Sequence, residues 1–78
     1  MGKLNIGYKE MRSDQNQEKI RDALNLIMVR TGKGLMKTAP EIGLTYETLR
    51  VFVLKGKRLN FESLVKILHY VNNNMENK

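Results

Sequence analysis

The stretch Ala39-Pro40-Glu41-Ile42-Gly43-Leu44-Thr45-Tyr46-Glu47-Thr48-Leu49 decides how the chain folds. Two helices joined by a tight turn need a residue there that takes a left-handed backbone cheaply, and Gly43 supplies it. They also need a small residue inside the first helix, where the second crosses close to its backbone. Ala39, four residues before the glycine, meets that need. Leu44 after the turn and Leu49, six residues past Gly43, pin the second helix across the first, and Ile42 and Phe52 add core on either side. Thr45 is an N-cap candidate for a helix from about Tyr46 to Lys55, in which Leu49, Phe52 and Val53 form an i, i+3, i+4 stripe before Gly56 closes it.

Working outward, Thr38 is the N-cap candidate of the preceding helix, with Pro40 in its first turn and Glu41 at the capping-box position. That helix is two turns or less, unless it starts earlier and kinks. Upstream, Ser13 and Asp14 read as an N-cap and Gln17 completes a capping-box spacing with Asp14. Ile20, Leu24, Ile27 and Thr31 then recur at helical intervals, predicting a helix over 14–31 that Gly32 and Gly34 stop. Downstream, Asn60 caps a last helix whose Phe61, Leu64, Ile67, Leu68 and Val71 share a face. Asn72-Asn73-Asn74 and the end of the chain are expected to fray. Leu4, Ile6 and Tyr8 alternate weakly, as a short strand or an extended arm would. The expectation is one all-α, four-helix domain over 14–72, with an arm or short strand over 1–13 and a flexible tail over 73–78.

Composition narrows the function. Seventy-eight residues make one domain at roughly 100 to 200 residues per domain, and 41% apolar with 6% aromatic content makes it globular but lightly anchored. The chain has no cysteine, which removes disulfides, thiol catalysis and cysteine-ligated metals. Stability must come from helix packing or a partner subunit. No run approaches the roughly 20 apolar residues of a membrane span. The start carries neither a secretory signal nor a myristoylation pattern, so an intracellular setting is expected. The net charge is +6, and residues 30–60 hold nearly all of it, with seven Lys and Arg against two Glu. Such a basic middle is either a solvated face or a surface for a polyanion, of which nucleic acid is the first suspect.

The quoted stretch resembles the helix-turn-helix of the phage repressor and Cro class of DNA-binding proteins. The likeness extends through Phe52, Gly56-Lys57-Arg58 and the following helix with Leu64 and Leu68, covering about residues 18–71. It implies a lambda-repressor-like fold and a sequence-specific regulator that binds double-stranded DNA, with the operators of a phage or plasmid in a bacterial cytoplasm as its targets. Repression would follow from occupancy of the operator. Two positions depart from the class: Pro40 lies within the first motif helix, and Leu35 stands where a polar, phosphate-contacting residue is common.

With Leu49 turned inward, a wheel places Glu47, Arg50, Val51 and Leu54 outward and Tyr46 on the shoulder. A merely solvated helix seldom presents this mixture, whereas a groove-reading helix combines hydrogen-bonding groups with apolar contacts to thymine methyls. The resemblance assigns base contacts to Thr45, Tyr46, Glu47, Arg50 and Val51. Arg50 suits bidentate pairing with guanine O6 and N7, and its ordinary alternative is an ion pair with Glu47 at i, i+3. Glu47 either accepts from cytosine N4 or repels wrong sequences, and Tyr46 is equally a core-edge residue. Lys37, Lys55, Lys57 and Arg58, at the ends of the motif helices, are candidates for phosphates, whose contacts hold register and add affinity.

Other chemistry finds little footing. Gly32-Lys33-Gly34 lacks the residues of a Walker loop, and His69 is the only histidine and is expected in solvent. The carboxylates are scattered, so no enzyme, cofactor, metal or small-molecule substrate is expected. The methionines at 11, 28, 36 and 75 read as gap-filling packing or flexible surface. Leu26 and Val29 face away from Leu24 and need cover, from the Leu4-Ile6-Tyr8 segment or from a second subunit, which favours a homodimer. The rival reading is an interaction or inhibitor protein that keeps this scaffold but binds a protein or a protein–nucleic-acid complex; Leu35, Pro40 and Glu47 favour it.

Overall fold

The computed structural model describes residues 6, 7, 9–11 and 13–76, which form four helices and no strand: α1 (Asp14–Thr31), α2 (Leu35–Ile42), α3 (Tyr46–Lys55) and α4 (Phe61–Glu76). Helix α1 packs chiefly on α4, α2 on α3 and α4, and α1 also meets α3. One core lies between them. Ile20, Leu24 and Ile27 of α1, Ala39 and Ile42 of α2, Leu49 and Phe52 of α3, and Leu64, Ile67, Leu68 and Val71 of α4 are all buried. Each fully buried Leu, Ile or Phe side chain contributes about 1.5–3 kcal/mol relative to exposure, which sets the helix faces more firmly than local propensity does.

Helices α1 and α3 have the bounds that their caps predict. The Ser13 hydroxyl accepts from the Asn16 N–H at 3.2 Å, and the Thr45 hydroxyl accepts from the Thr48 N–H at 3.2 Å. The Asn60 side chain likewise accepts from the Ser63 N–H at 2.9 Å, starting α4. Gln17, however, forms no capping box with Asp14. Its side chain is buried, and its Oε1 accepts from the Leu59 N–H at 3.1 Å, tying α1 to the segment before α4.

Helix α2 takes the earlier start that the sequence left open and not the Thr38 cap. It begins one turn before the expected cap: Gly34 is the N-cap, with no side-chain hydrogen bond, and Thr38 is buried mid-helix. Leu35, Ala39 and Ile42 all pack on the core, and burying that face requires the earlier start. Pro40 then falls beyond the first turn, so the Met36 carbonyl has no Pro40 N–H to accept. Glu41 serves no capping box either. It accepts from Lys33 Nζ at 2.5 Å and from the Tyr70 hydroxyl at 2.9 Å, joining the loop before α2 to α4.

The ends also differ from expectation. Helix α4 continues through the three asparagines to Glu76 because Met75 is buried and Asn74 Nδ2 donates to the Tyr70 carbonyl at 2.9 Å. Residues 77 and 78 of the expected tail lie outside the described residues. So do Leu4 and Tyr8 of the expected strand or arm, of which Ile6 packs against the core. Met11 is fully buried, and Asn16 Nδ2 donates to the Glu10 carbonyl at 2.7 Å, so the approach to α1 is part of the packed structure.

Two measurements check this packing. The Thr38 hydroxyl is buried without a hydrogen-bond partner among the described residues, a state that costs free energy. Thr38→Val should raise stability by about 1 kcal/mol, and Tm by about 4–8 °C for a domain of this size; an unchanged or lower melting temperature would show that the hydroxyl is satisfied. Burial, and then its hydrogen bond to Glu41, push the Tyr70 phenol up to about 12. The neutral phenol is therefore favoured in the folded state: its contribution is complete below the unfolded value near 10 and is lost as pH rises through about 12. Absorbance titration should show one tyrosine ionising late, and Tyr70→Phe should remove that step.

Candidate nucleic-acid interface

The turn between α2 and α3 is built as its sequence demands. Gly43 has φ +97°, a left-handed conformation that costs little only without a Cβ. The N–H groups of Gly43 and Leu44 both reach the Ala39 carbonyl at 3.0 Å, so the chain reverses within three residues and α3 starts at Tyr46. Lys66 Nζ of α4 donates to the Gly43 carbonyl at 3.4 Å.

Helix α3 is held at its other end by a residue that the sequence pattern did not single out. Arg21 of α1 donates from Nε to the Phe52 carbonyl at 2.6 Å, and its guanidinium lies 4.6 Å from the Phe52 ring centroid. A cation at the last carbonyls of a helix satisfies an acceptor left open there and opposes the negative end of the dipole. Nothing local signals this role, because Arg21 and Phe52 are 31 residues apart and only the α1–α3 packing brings them together.

On this anchored helix the candidate base-contacting residues occupy the first two turns. Tyr46 and Glu47 are exposed, Arg50 and Val51 are half-buried, and Leu54 beyond them is 64% exposed. Tyr46 is thus outside the core. Thr45 is exposed, but its hydroxyl is occupied as the N-cap and also donates to Thr48 Oγ1 at 2.8 Å. Arg50 is paired with Glu47: Nε donates to Oε1 at 3.1 Å and Nη2 to Oε2 at 2.7 Å. That hydrogen bonding holds the Glu47 carboxyl below the usual carboxylate range and raises Arg50 further.

The candidate phosphate contacts divide into two kinds. The side chains of Lys37, Lys55 and Lys57 are exposed and make no ion pair or hydrogen bond among the described residues. Arg58 is exposed but paired with Asp14 at the start of α1. Lys33, which the sequence reading left aside, is paired with Glu41. The basic middle of the chain is therefore partly neutralised in the folded protein: four of its seven cations, Arg30, Lys37, Lys55 and Lys57, keep side chains without an ion pair among the described residues, and the lysines lie at the ends of the motif helices.

Beside this face lies a shallow apolar groove lined by Met28 and Val29 of α1, Leu35 of α2, and Val53 and Leu54 of α3. Val29 is 79% exposed and Leu26 is also exposed, so the described residues leave the outward side of α1 uncovered. His69 is exposed, and no cluster of three or more His, Asp or Glu that could hold a metal occurs among the described residues. None of their helices is long and apolar enough to cross a membrane. Compared with protein-family models, with curated proteins and with solved structures, the chain finds no significant match.

Proposed function

We propose that this chain is a helix-turn-helix protein of the phage repressor and Cro kind, with a lambda-repressor-like fold. It binds double-stranded DNA sequence-specifically in a bacterial cytoplasm and regulates transcription by occupying an operator. The observation that carries the reading is α3: a helix anchored at both ends, presenting Tyr46, Glu47, Arg50 and Val51 outward, with uncommitted Lys37, Lys55 and Lys57 exposed at helix ends. A reading helix needs such rigidity, because base-edge hydrogen bonds tolerate little misplacement. The mechanism is occupancy, with no bond made or broken, and the protein requires no cofactor.

The lysines supply affinity and register, and α3 supplies choice. One module of this size offers few phosphate contacts, and a two-fold pair addresses half-sites about 34–36 Å apart. Exposed Val29 and Leu54, together with the groove between them, support a second copy as the cover for this side of the molecule. The homodimer is part of the proposal.

Two experiments test it. The purified protein should be retained on random duplex DNA at low salt and released at moderate salt, and Lys57→Ala should reduce the slope of log K against log salt by about 0.9 while weakening all sequences alike. Passage straight through the duplex column would instead favour an interaction protein that uses the same face on a protein partner. By sedimentation, the wild type should be a dimer at micromolar concentration, and Val29→Glu a folded monomer; a monomeric wild type would exclude the proposed pairing.

A further inference from the structure

The DNA-binding reading leaves open what a glutamate does on the face that approaches a polyanion, and this inference rests on that reading. An arginine has five N–H donors on two usable edges: a side edge of Nε and Nη2, and an end edge of Nη1 and Nη2. Glu47 takes the side edge, accepting from Nε at 3.1 Å and from Nη2 at 2.7 Å. The end edge keeps one Nη1 hydrogen and the second Nη2 hydrogen, which lie parallel. Two parallel donors are what guanine O6 and N7 accept in the major groove, whereas adenine presents one acceptor and one donor there.

We infer that Glu47 is a positioning residue that fixes Arg50 with its end edge free, so that the Glu47–Arg50 pair reads one guanine through Arg50 alone. The geometry explains why the carboxylate does not exclude DNA: its two oxygens face the guanidinium, and the pair approaches the groove with no net charge. The surroundings suit the role. Glu47 and Arg50 lie one turn apart on the same helix, so holding the pair requires no second element, and Glu47 remains 67% exposed at its side chain against 29% for Arg50. The glutamate can therefore follow the arginine into the groove without repacking the core. Without it, Arg50 is a long side chain that must be ordered on binding, which weakens its contribution.

The test uses the full chain on a duplex selected from a random pool, with each G·C pair replaced in turn by A·T. The wild type should discriminate against one replacement by about 5- to 150-fold, the range of a bidentate arginine–guanine contact. Arg50→Ala should abolish preference at that pair. Glu47→Ala should reduce preference at the same pair by about 2- to 10-fold, the effect of freeing one long side chain, while strengthening binding to random duplex by removing a negative charge. Glu47→Gln, which keeps one acceptor oxygen toward Arg50, should fall between the two. In the Arg50→Ala background, Glu47→Ala should change nothing further at that pair. Circular dichroism should show unchanged helicity, since both side chains lie on the surface. Loss of preference at a different base pair would mean that Glu47 reads a base itself, and unchanged preference would reduce the pair to a surface ion pair; either overturns the inference. A wild type that selects no sequence at all defeats the DNA-binding reading instead, and the two failures are thereby distinguished.

Discussion

The structure depends on one constraint: Leu49 and Phe52 of α3 must be buried immediately after a chain reversal that allows only three residues between helices. Burial fixes the rotation of α3, and the reversal fixes its start. Gly43 satisfies the second demand with a backbone conformation that other residues adopt at a cost, and Ala39 satisfies the first by letting α3 lie close to α2. Everything else at the surface of α3 follows from these two. Once Leu49 and Phe52 are inside, Glu47, Val51 and Leu54 have no interior to enter. Lys66 on the Gly43 carbonyl and Arg21 on the Phe52 carbonyl then tie the turn before α3 and the last turns of α3 to different helices, so the face it presents is held by the whole domain.

The cases in which local pattern and structure agree are those where one signal acts alone. Ser13, Thr45 and Asn60 are each followed by an apolar face at helical spacing, and each starts its helix as read. At α2 two signals conflict. Thr38 is a good capping residue and Pro40 prefers a first turn, but obeying either would withdraw Leu35 from the core. Burial outweighs the cap, at the cost of a buried hydroxyl and an interrupted ladder. The same competition explains the C-terminus, where three asparagines predict fraying and a buried Met75 prevents it. Gln17, Arg21 and Glu41 were illegible for another reason. Their partners are Leu59, Phe52 and Tyr70, which lie 42, 31 and 29 residues away, and no periodicity records such pairs. At the candidate site, the outward set on α3 was legible from the wheel alone. The commitments of its polar groups were legible only in part: the N-cap reading of Thr45 already ties its hydroxyl to Thr48, but the sequence left Arg50 between a base and Glu47 and gave no sign that Arg58 would be spent on Asp14.

Those commitments change how the chain's charge should be understood. Residues 30–60 carry a net +5, from seven cations and two anions, yet Lys33, Arg50 and Arg58 are each paired with a carboxylate in the folded protein. All three pairs lie at the surface, where solvent and salt screen the attraction, so exchanging a carboxylate for a phosphate is a small step. The pairs do not serve alike, however. Arg58 meets Asp14 through Nη1, on the end edge of its guanidinium, so an anion at that edge competes with Asp14. Arg50 would not need to leave Glu47 to meet the proposed guanine, because the two contacts would use different edges of one guanidinium.

This division bears on how much a single copy can do. On the proposed reading, three uncommitted lysines would give a salt slope of only about three, the regime of weak, sequence-indifferent association, and a single oriented arginine would distinguish one base pair among many. Neither term can be enlarged by repacking, because the core is already filled by the residues that hold α3 in place. The remaining route is duplication. In the proposed dimer a second copy would double the phosphate contacts and the reading helices together, and it would remove Val29 and Leu54 from water at the same time. In a chain this small, the apolar surface left outside the core and the few contacts that α3 can offer are two sides of the same limit on size, and the proposed pairing would answer both.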